Sequence, residues 1–182
     1  MSWAKELNSQ LESYWTNQFR PRLKGLTETE YFWEPVEGCW NIRLVGAGKY
    51  VADFQTPEPD PPPVTTIAWR LSHICAAMLL WDQTIQFDGA NCDVAPFECP
   101  GTAQSALQSL DRSYARWRTG VESLDDEALA RNIGPAPGCL MAFADYSMAA
   151  LVLHINREVI HHGAEVALLR DLYQASRGGH KL

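Results

Sequence analysis

The sequence has little of what marks nucleic-acid-binding, secreted or membrane-spanning proteins. Its 15 basic residues are outnumbered by 22 acidic ones, and the formal net charge is −7. Non-specific nucleic-acid binding depends on basic patches, so neither DNA nor RNA is expected as a partner. No stretch approaches 18 uninterrupted apolar residues, and the polar start lacks the apolar core of a signal peptide. The five cysteines are scattered without a Cys-x-x-Cys pair. We therefore expect a cytoplasmic protein with free thiols that does not enter a membrane.

The length and composition are those of a globular chain. Hydrophobic residues make up 46% of the 182 residues and charged residues 20%, which is typical of a folded rather than a disordered protein. This length suits one core, so residues 1–182 are interpreted as a single domain.

Apolar residues recur at three- and four-residue steps in four long segments, which predicts an all-α fold. Pro21 is expected to end the first segment, and residues 36–64 form a long irregular loop with one strand candidate, 50–54. Thr27, Thr66 and the Asp125–Glu127 string are expected to begin helices. The predicted architecture is a four-helix bundle, up-down-down-up or similar, with that loop between its first and second helices. The four predicted helices span residues 3–20, 66–86, 102–124 and 143–174.

The last predicted helix carries several side chains that bind metals. Successive helical residues turn by about 100° and rise by about 1.5 Å, so only residues one turn apart can share an ion. Glu158 belongs to every such pair, with His154, His161 or His162. On a helical wheel His162 falls within the apolar stripe and Glu158 at its edge, whereas the other two histidines face a rim with Arg157. A buried carboxylate without a partner is costly, and a metal ion removes that cost.

A third ligand is predicted from the second helix. His73 shares an apolar face there with Trp69 and with small residues, so a neighbouring helix can approach closely. His73, Glu158 and His162 would form a three-ligand site with an open position, which is typical of catalytic zinc; nickel and iron also suit these ligands. Simpler interpretations stay open, because a lone histidine is more often a hydrogen-bonded core residue and an i, i+4 pair is common on helix surfaces.

Three motifs together resemble the DinB/YfiT-like family of metal-binding four-helix bundles. They are YFWEP at 31–35 followed by GCW at 38–40, TIAWRLSHI at 66–74, and NREVIHHGAE at 156–165. Many members carry three histidines, and a glutamate at position 158 resembles the branch of mycothiol-dependent maleylpyruvate isomerases, which bind zinc with two His and one Glu. The resemblance implies a homodimeric, zinc-dependent transferase or isomerase that uses a small thiol such as mycothiol against an electrophile.

Further roles follow from that interpretation. His154, Arg157 and His161 would line the rim and bind an acidic thiol or move protons. Trp40 would cover the mouth of the site or pack under the long loop, and Glu165 would orient the His161 ring as an outer partner. Two rivals remain: a metal-binding stress-response protein without turnover, and a helical bundle that dimerises through apolar faces and binds no ion.

Overall fold

The computed structural model describes residues 2–76, 98–134 and 144–178. Within these ranges the chain is mostly helical, as predicted, with one small two-stranded sheet. No helix among the described residues is long and apolar enough to cross a bilayer. The elements are α1 (Trp3–Tyr14), a π-helical segment (Trp15–Phe19), α2 (Arg20–Arg22), α3 (Glu28–Tyr31), β1 (Ile42–Gly46), β2 (Lys49–Ala52), α4 (Ile67–His73), α5 (Ala103–Glu122), α6 (Asp126–Ala130) and α7 (Met148–Arg177).

The first helix does not stop at Pro21, contrary to the prediction. It passes from α1 into the π-helical segment and then into α2, which contains Pro21 and ends at Arg22. The Arg20 N–H donates to the Trp15 carbonyl, five residues back rather than four. A proline ring normally clashes with the carbonyl of the preceding turn, and a wider π turn gives that carbonyl room.

Polar side chains cap the helices where the sequence predicts starts. Thr27, Thr66 and Asp125 each accept a hydrogen bond from the first turn of α3, α4 and α6. Ser147 caps α7, which therefore begins later than the predicted residue 143; that residue lies outside the described ranges. Residues 77–86 of the second predicted helix also lie outside them. The four-helix bundle arrangement consequently stays a prediction.

The loop between α3 and α4 contains an antiparallel hairpin. Ile42 pairs with Ala52 and Arg43 with Val51, so the strand candidate is confirmed in part and its partner β1 is new. Ala47 and Gly48 form the turn with positive φ of 48° and 78°, as two-residue hairpins require.

Helix α7 is packed against α1, α4 and α6. Gly163 permits the close approach to the end of α1, since a Cβ there would lie 2.5 Å from the Tyr14 hydroxyl oxygen and 3.0 Å from the Phe19 ring. The core has fully buried residues from each long helix: Leu11, Phe19, Leu71, Leu110, Trp117 and Ile155. The contact between α4 and α7 positions the candidate site.

A buried ion pair also joins α7 to α3. The Arg170 guanidinium meets the Glu30 carboxylate at 2.6 Å and 3.0 Å, and the side chains are only 7% and 3% exposed. Arg170 also donates to the backbone carbonyls of Arg22 and Lys24. Glu30 is therefore engaged with α7 rather than reaching back to the Thr27 backbone.

Candidate metal centre

Of the predicted ligands, His73 and His162 are in contact where α4 and α7 pack, and Glu158 lies beside His162 on α7; we call this place the α4–α7 site. The His73 and His162 rings have centroids 4.9 Å apart at an interplanar angle of 82°. The Nε2 atom of His162 lies 3.3 Å from the Glu158 carboxylate, whose side chain is 23% exposed, while that of His162 is 10% exposed. The structure thus brings together residues that are about 90 positions apart in the sequence.

The second ring nitrogen of His162 is engaged on the opposite side. Its Nδ1 lies 2.7 Å from a Glu165 carboxylate oxygen. Nδ1 also lies 3.2 Å from Arg70 Nη1, which can only donate, but its shorter contact is with the Glu165 carboxylate, which only accepts. We therefore assign the proton to Nδ1, which donates it to Glu165. In a neutral ring the lone pair is then on Nε2, which faces a second carboxylate, Glu158. A metal ion between these two acceptors would remove the repulsion between them.

Arg70 completes the surroundings of Glu165. Its Nη2 donates to one carboxylate oxygen at 3.3 Å, and its Nε lies 2.9 Å from the other without the direction of a hydrogen bond. Burial alone would raise the pKa of Glu165, but the hydrogen bond from His162 and the charge of Arg70 outweigh it and lower the pKa overall. Glu165 is accordingly held as a carboxylate.

His73 is held neutral. Burial, then the neighbouring His162 and Arg70, lower its pKa from 6.5 to about 4, against the opposing effect of Glu158 and Glu165. The ring is also stacked on Trp69, with centroids 5.0 Å apart and an interplanar angle of 15°. A neutral imidazole keeps a lone pair that can bind a metal ion.

The lowered pKa of His73 gives a pH dependence for the metal-free protein. The folded-state pKa, about 4, lies below the ordinary 6.5, so the unfolded chain binds more protons between these values. Stability from this group is complete above about pH 6.5 and is lost as the pH falls towards 4. Between pH 7 and pH 4, the free energy of unfolding of the chelator-treated wild type, measured in urea, should fall by about 1–3 kcal/mol more than that of His73→Phe. Equal losses in the wild type and in His73→Phe would contradict a lowered pKa of His73.

One group of side chains, on α7 alone, is close enough together to hold a divalent ion. Among the described residues, ligand atoms of His161, His162 and Glu165 all lie within 4.8 Å of one another. The sequence analysis assigned Glu165 to the His161 ring, but the structure places it 3.5 Å from His161 Nε2 and closer to His162. The sequence signal for this group is its spacing: Glu165 follows His162 by three residues and His161 by four. Arg70 was missed, because nothing local indicates that α4 points it at α7.

Two of the predicted rim residues, Arg157 and His154, lie near the Glu158 carboxylate. Arg157 Nε lies 3.6 Å and His154 Nδ1 3.8 Å from the same Glu158 oxygen. Arg157 Nη2 lies 2.6 Å from His154 Nδ1. The Arg157 side chain is 68% exposed, so its charge is directed largely towards solvent.

Aromatic rings lead from the protein surface to His73. Phe54, 78% exposed, lies 6.2 Å from the Trp40 ring, and Trp40 lies 5.8 Å from Trp69, which stacks on His73. Trp40 is thus two rings away from the α4–α7 site. Trp33 contacts Tyr173 instead.

These features define a mostly helical protein in which His161, His162 and Glu165 of α7 lie close enough together to hold a divalent ion. The family model of the DinB superfamily matches residues 10–166, and the chain belongs to that superfamily. The family predicted from the motifs is confirmed, whereas the isomerase branch stays a prediction. Neither a curated protein nor a solved structure gives a match.

Proposed function

We propose that the α4–α7 site binds one divalent metal ion through His73, Glu158 and His162. One observation carries the proposal: His162 Nε2 lies 3.3 Å from the Glu158 carboxylate while Nδ1 is tied to Glu165. A ring nitrogen with a lone pair, a carboxylate and a neutral second imidazole are the donors that zinc and similar ions prefer. The fit rests on these donors and on the burial of His162, which is 8% exposed.

The charge of Arg70 argues against the group of His161, His162 and Glu165. Its guanidinium already contacts both oxygens of Glu165, so an ion there would face a neighbouring positive charge. Using Nδ1 of His162 would also break the 2.7 Å contact with Glu165. On the Glu158 side this cost is smaller: among the described residues the guanidinium in contact with Glu158 is that of Arg157, which is 68% exposed, and Arg70 acts on Glu158 and His73 only through its charge.

The reaction class we propose is transfer to, or isomerisation of, an electrophilic small molecule by a low-molecular-weight thiol such as mycothiol. Three protein ligands leave a position open for such a thiol. A bound zinc ion would lower the thiol's pKa and hold the thiolate as a nucleophile. Arg157 and His154 supply a positive, hydrogen-bonding rim for acidic groups. Trp69, which stacks on His73, and Trp40, which contacts Trp69, supply apolar surface on the α4 side.

Metal content tests the site. Protein purified without a nickel column and incubated with zinc should retain about one ion per chain by mass spectrometry of the metal. Glu158→Ala should abolish retention, and His161→Ala should leave it unchanged. The reverse pattern would move the ion to the group of His161, His162 and Glu165. A wild type that retains no ion would contradict the proposal.

Turnover is tested separately on metal-loaded protein. A panel of small thiols is supplied with a haloaromatic electrophile, and product is measured against a protein-free control. A rate that depends on the thiol and is lost in Glu158→Ala would support the transferase. Retained metal with no rate above background would contradict the enzyme and favour the metal-binding stress-response protein.

A further inference from the structure

We propose that Arg70 and Glu165 are positioning residues that fix the His162 ring with Nε2 towards the ion. This inference rests on the proposed function and concerns two residues that do not themselves bind the metal. The chain of contacts runs from Arg70 to the Glu165 carboxylate, and from that carboxylate to His162 Nδ1 at 2.7 Å.

The spacing of these residues explains how the packing of two helices builds the arrangement. Arg70 precedes His73 by three residues on α4, and His162 precedes Glu165 by three on α7. Residues three apart lie on the same helix face, so α4 offers the ligand His73 with a positioning residue, and α7 offers the ligand His162 with another. Docking α4 on α7 therefore brings in His73 and orients His162 in the same step.

The contact between Glu165 and His162 Nδ1 determines which nitrogen of His162 can bind a metal ion. A histidine ring holds its proton on the nitrogen that donates a hydrogen bond, and the other nitrogen is left with the lone pair. Metal-binding histidines commonly donate their second N–H to a carboxylate, which fixes the ring and makes it a better ligand. Glu165 is in this place, and its side chain is 33% exposed.

Arg70 keeps the carboxylate there. Without it, Glu165 and Glu158 would place two carboxylates on either side of one ring, at 2.7 Å and 3.3 Å. The Arg70 guanidinium, with its side chain only 19% exposed, offsets one of these charges and contacts both Glu165 oxygens. A lysine has a single charged nitrogen and cannot reproduce the planar fork of an arginine.

The test compares zinc affinity with the state of the ring. Glu165→Gln should raise the zinc dissociation constant about 10–100-fold in a chelator competition, since loss of an outer partner typically has this effect. Arg70→Lys should also raise it. The matched control is Glu122→Gln, which removes an exposed carboxylate from an i, i+4 pair with Arg118 remote from His162. It should leave the affinity unchanged, and circular dichroism should show that all variants are folded.

Nitrogen-15 NMR of the histidine rings supplies the second readout. In the zinc-loaded wild type the metal should be on His162 Nε2 and the proton on Nδ1. In the metal-free wild type at about pH 8, above the usual imidazole pKa, Nδ1 should still carry the proton, and Glu165→Gln should lose this preference. A proton on Nε2 in the metal-free wild type, or an unchanged affinity in Glu165→Gln, would overturn the inference. Failure of the wild type to bind zinc would overturn the proposed function, while the metal-free ring would still test the positioning role.

Discussion

Replacing Arg170 with methionine is expected to lower the free energy of unfolding by about 3–5 kcal/mol, the usual cost of removing one partner from a buried ion pair. The change leaves the Glu30 carboxylate, 3% exposed, without its guanidinium. It also removes the donor that satisfies the carbonyls of Arg22 and Lys24. Urea unfolding followed by circular dichroism measures the loss.

The matched control is Arg20→Met. Arg20 meets the Asp111 carboxylate with the same two-point geometry, at 2.7 Å and 2.9 Å, but the side chains are 34% and 46% exposed. An exposed pair is worth less than about 1 kcal/mol, so this variant should be nearly as stable as the wild type. The double variant Glu30→Met with Arg170→Met should be more stable than Arg170→Met, because no unpaired charge remains. Equal losses in the two arginine variants would show that burial does not determine the effect.

Helix starts were predictable because their causes are local. Thr27, Thr66 and Asp125 each accept a backbone hydrogen bond from a residue three positions on, and a short window of sequence contains both partners. Pro21 was misinterpreted because the rule that proline ends a helix assumes an α-helical turn. The π-helical segment before Pro21 changes the hydrogen-bond register, and no residue pattern in that segment indicates the change.

The first strand of the hairpin could not be seen in the sequence. Only Ile42 is buried in β1, and the next four residues are exposed, so the strand lacks the alternation that marks a half-buried strand. Its pairing depends on the turn at Ala47 and Gly48 and on β2, which follows that turn directly. The strand β1 is thus recognised by its pairing with β2 and not by its own sequence.

In the candidate site, the sequence located the residues of a single helix better than the contacts between helices. The helical wheel places His162 inward and His161 outward because both positions follow from one geometry, and the structure gives side-chain exposures of 10% and 64%. The contact between Arg70 and Glu165 requires knowing which face of α4 meets α7. That depends on the whole core, so the shorter contact of Glu165, which is with His162, was not predicted beside its contact with His161.

Zinc is expected to stabilise the folded wild type by about 4 kcal/mol when the free ion is at about 1,000 times its dissociation constant, because only the folded chain assembles the α4–α7 site. His162→Gln should lose this gain. His162 belongs to both groups that could hold an ion, so its loss removes either one. His154→Gln is the control, since His154 lies 3.8 Å from Glu158 on the rim and should keep the gain.

Thermal unfolding with zinc, and again after a chelator is added, measures this difference. Binding to thiols of the unfolded chain would reduce the gain, and the chain has five cysteines, so the effect is compared between variants at one zinc concentration. A gain that survives in His162→Gln would place the ion away from α7. The His162 ring would then be held between Glu158 and Glu165 by its contacts with their carboxylates alone, at 3.3 Å and 2.7 Å.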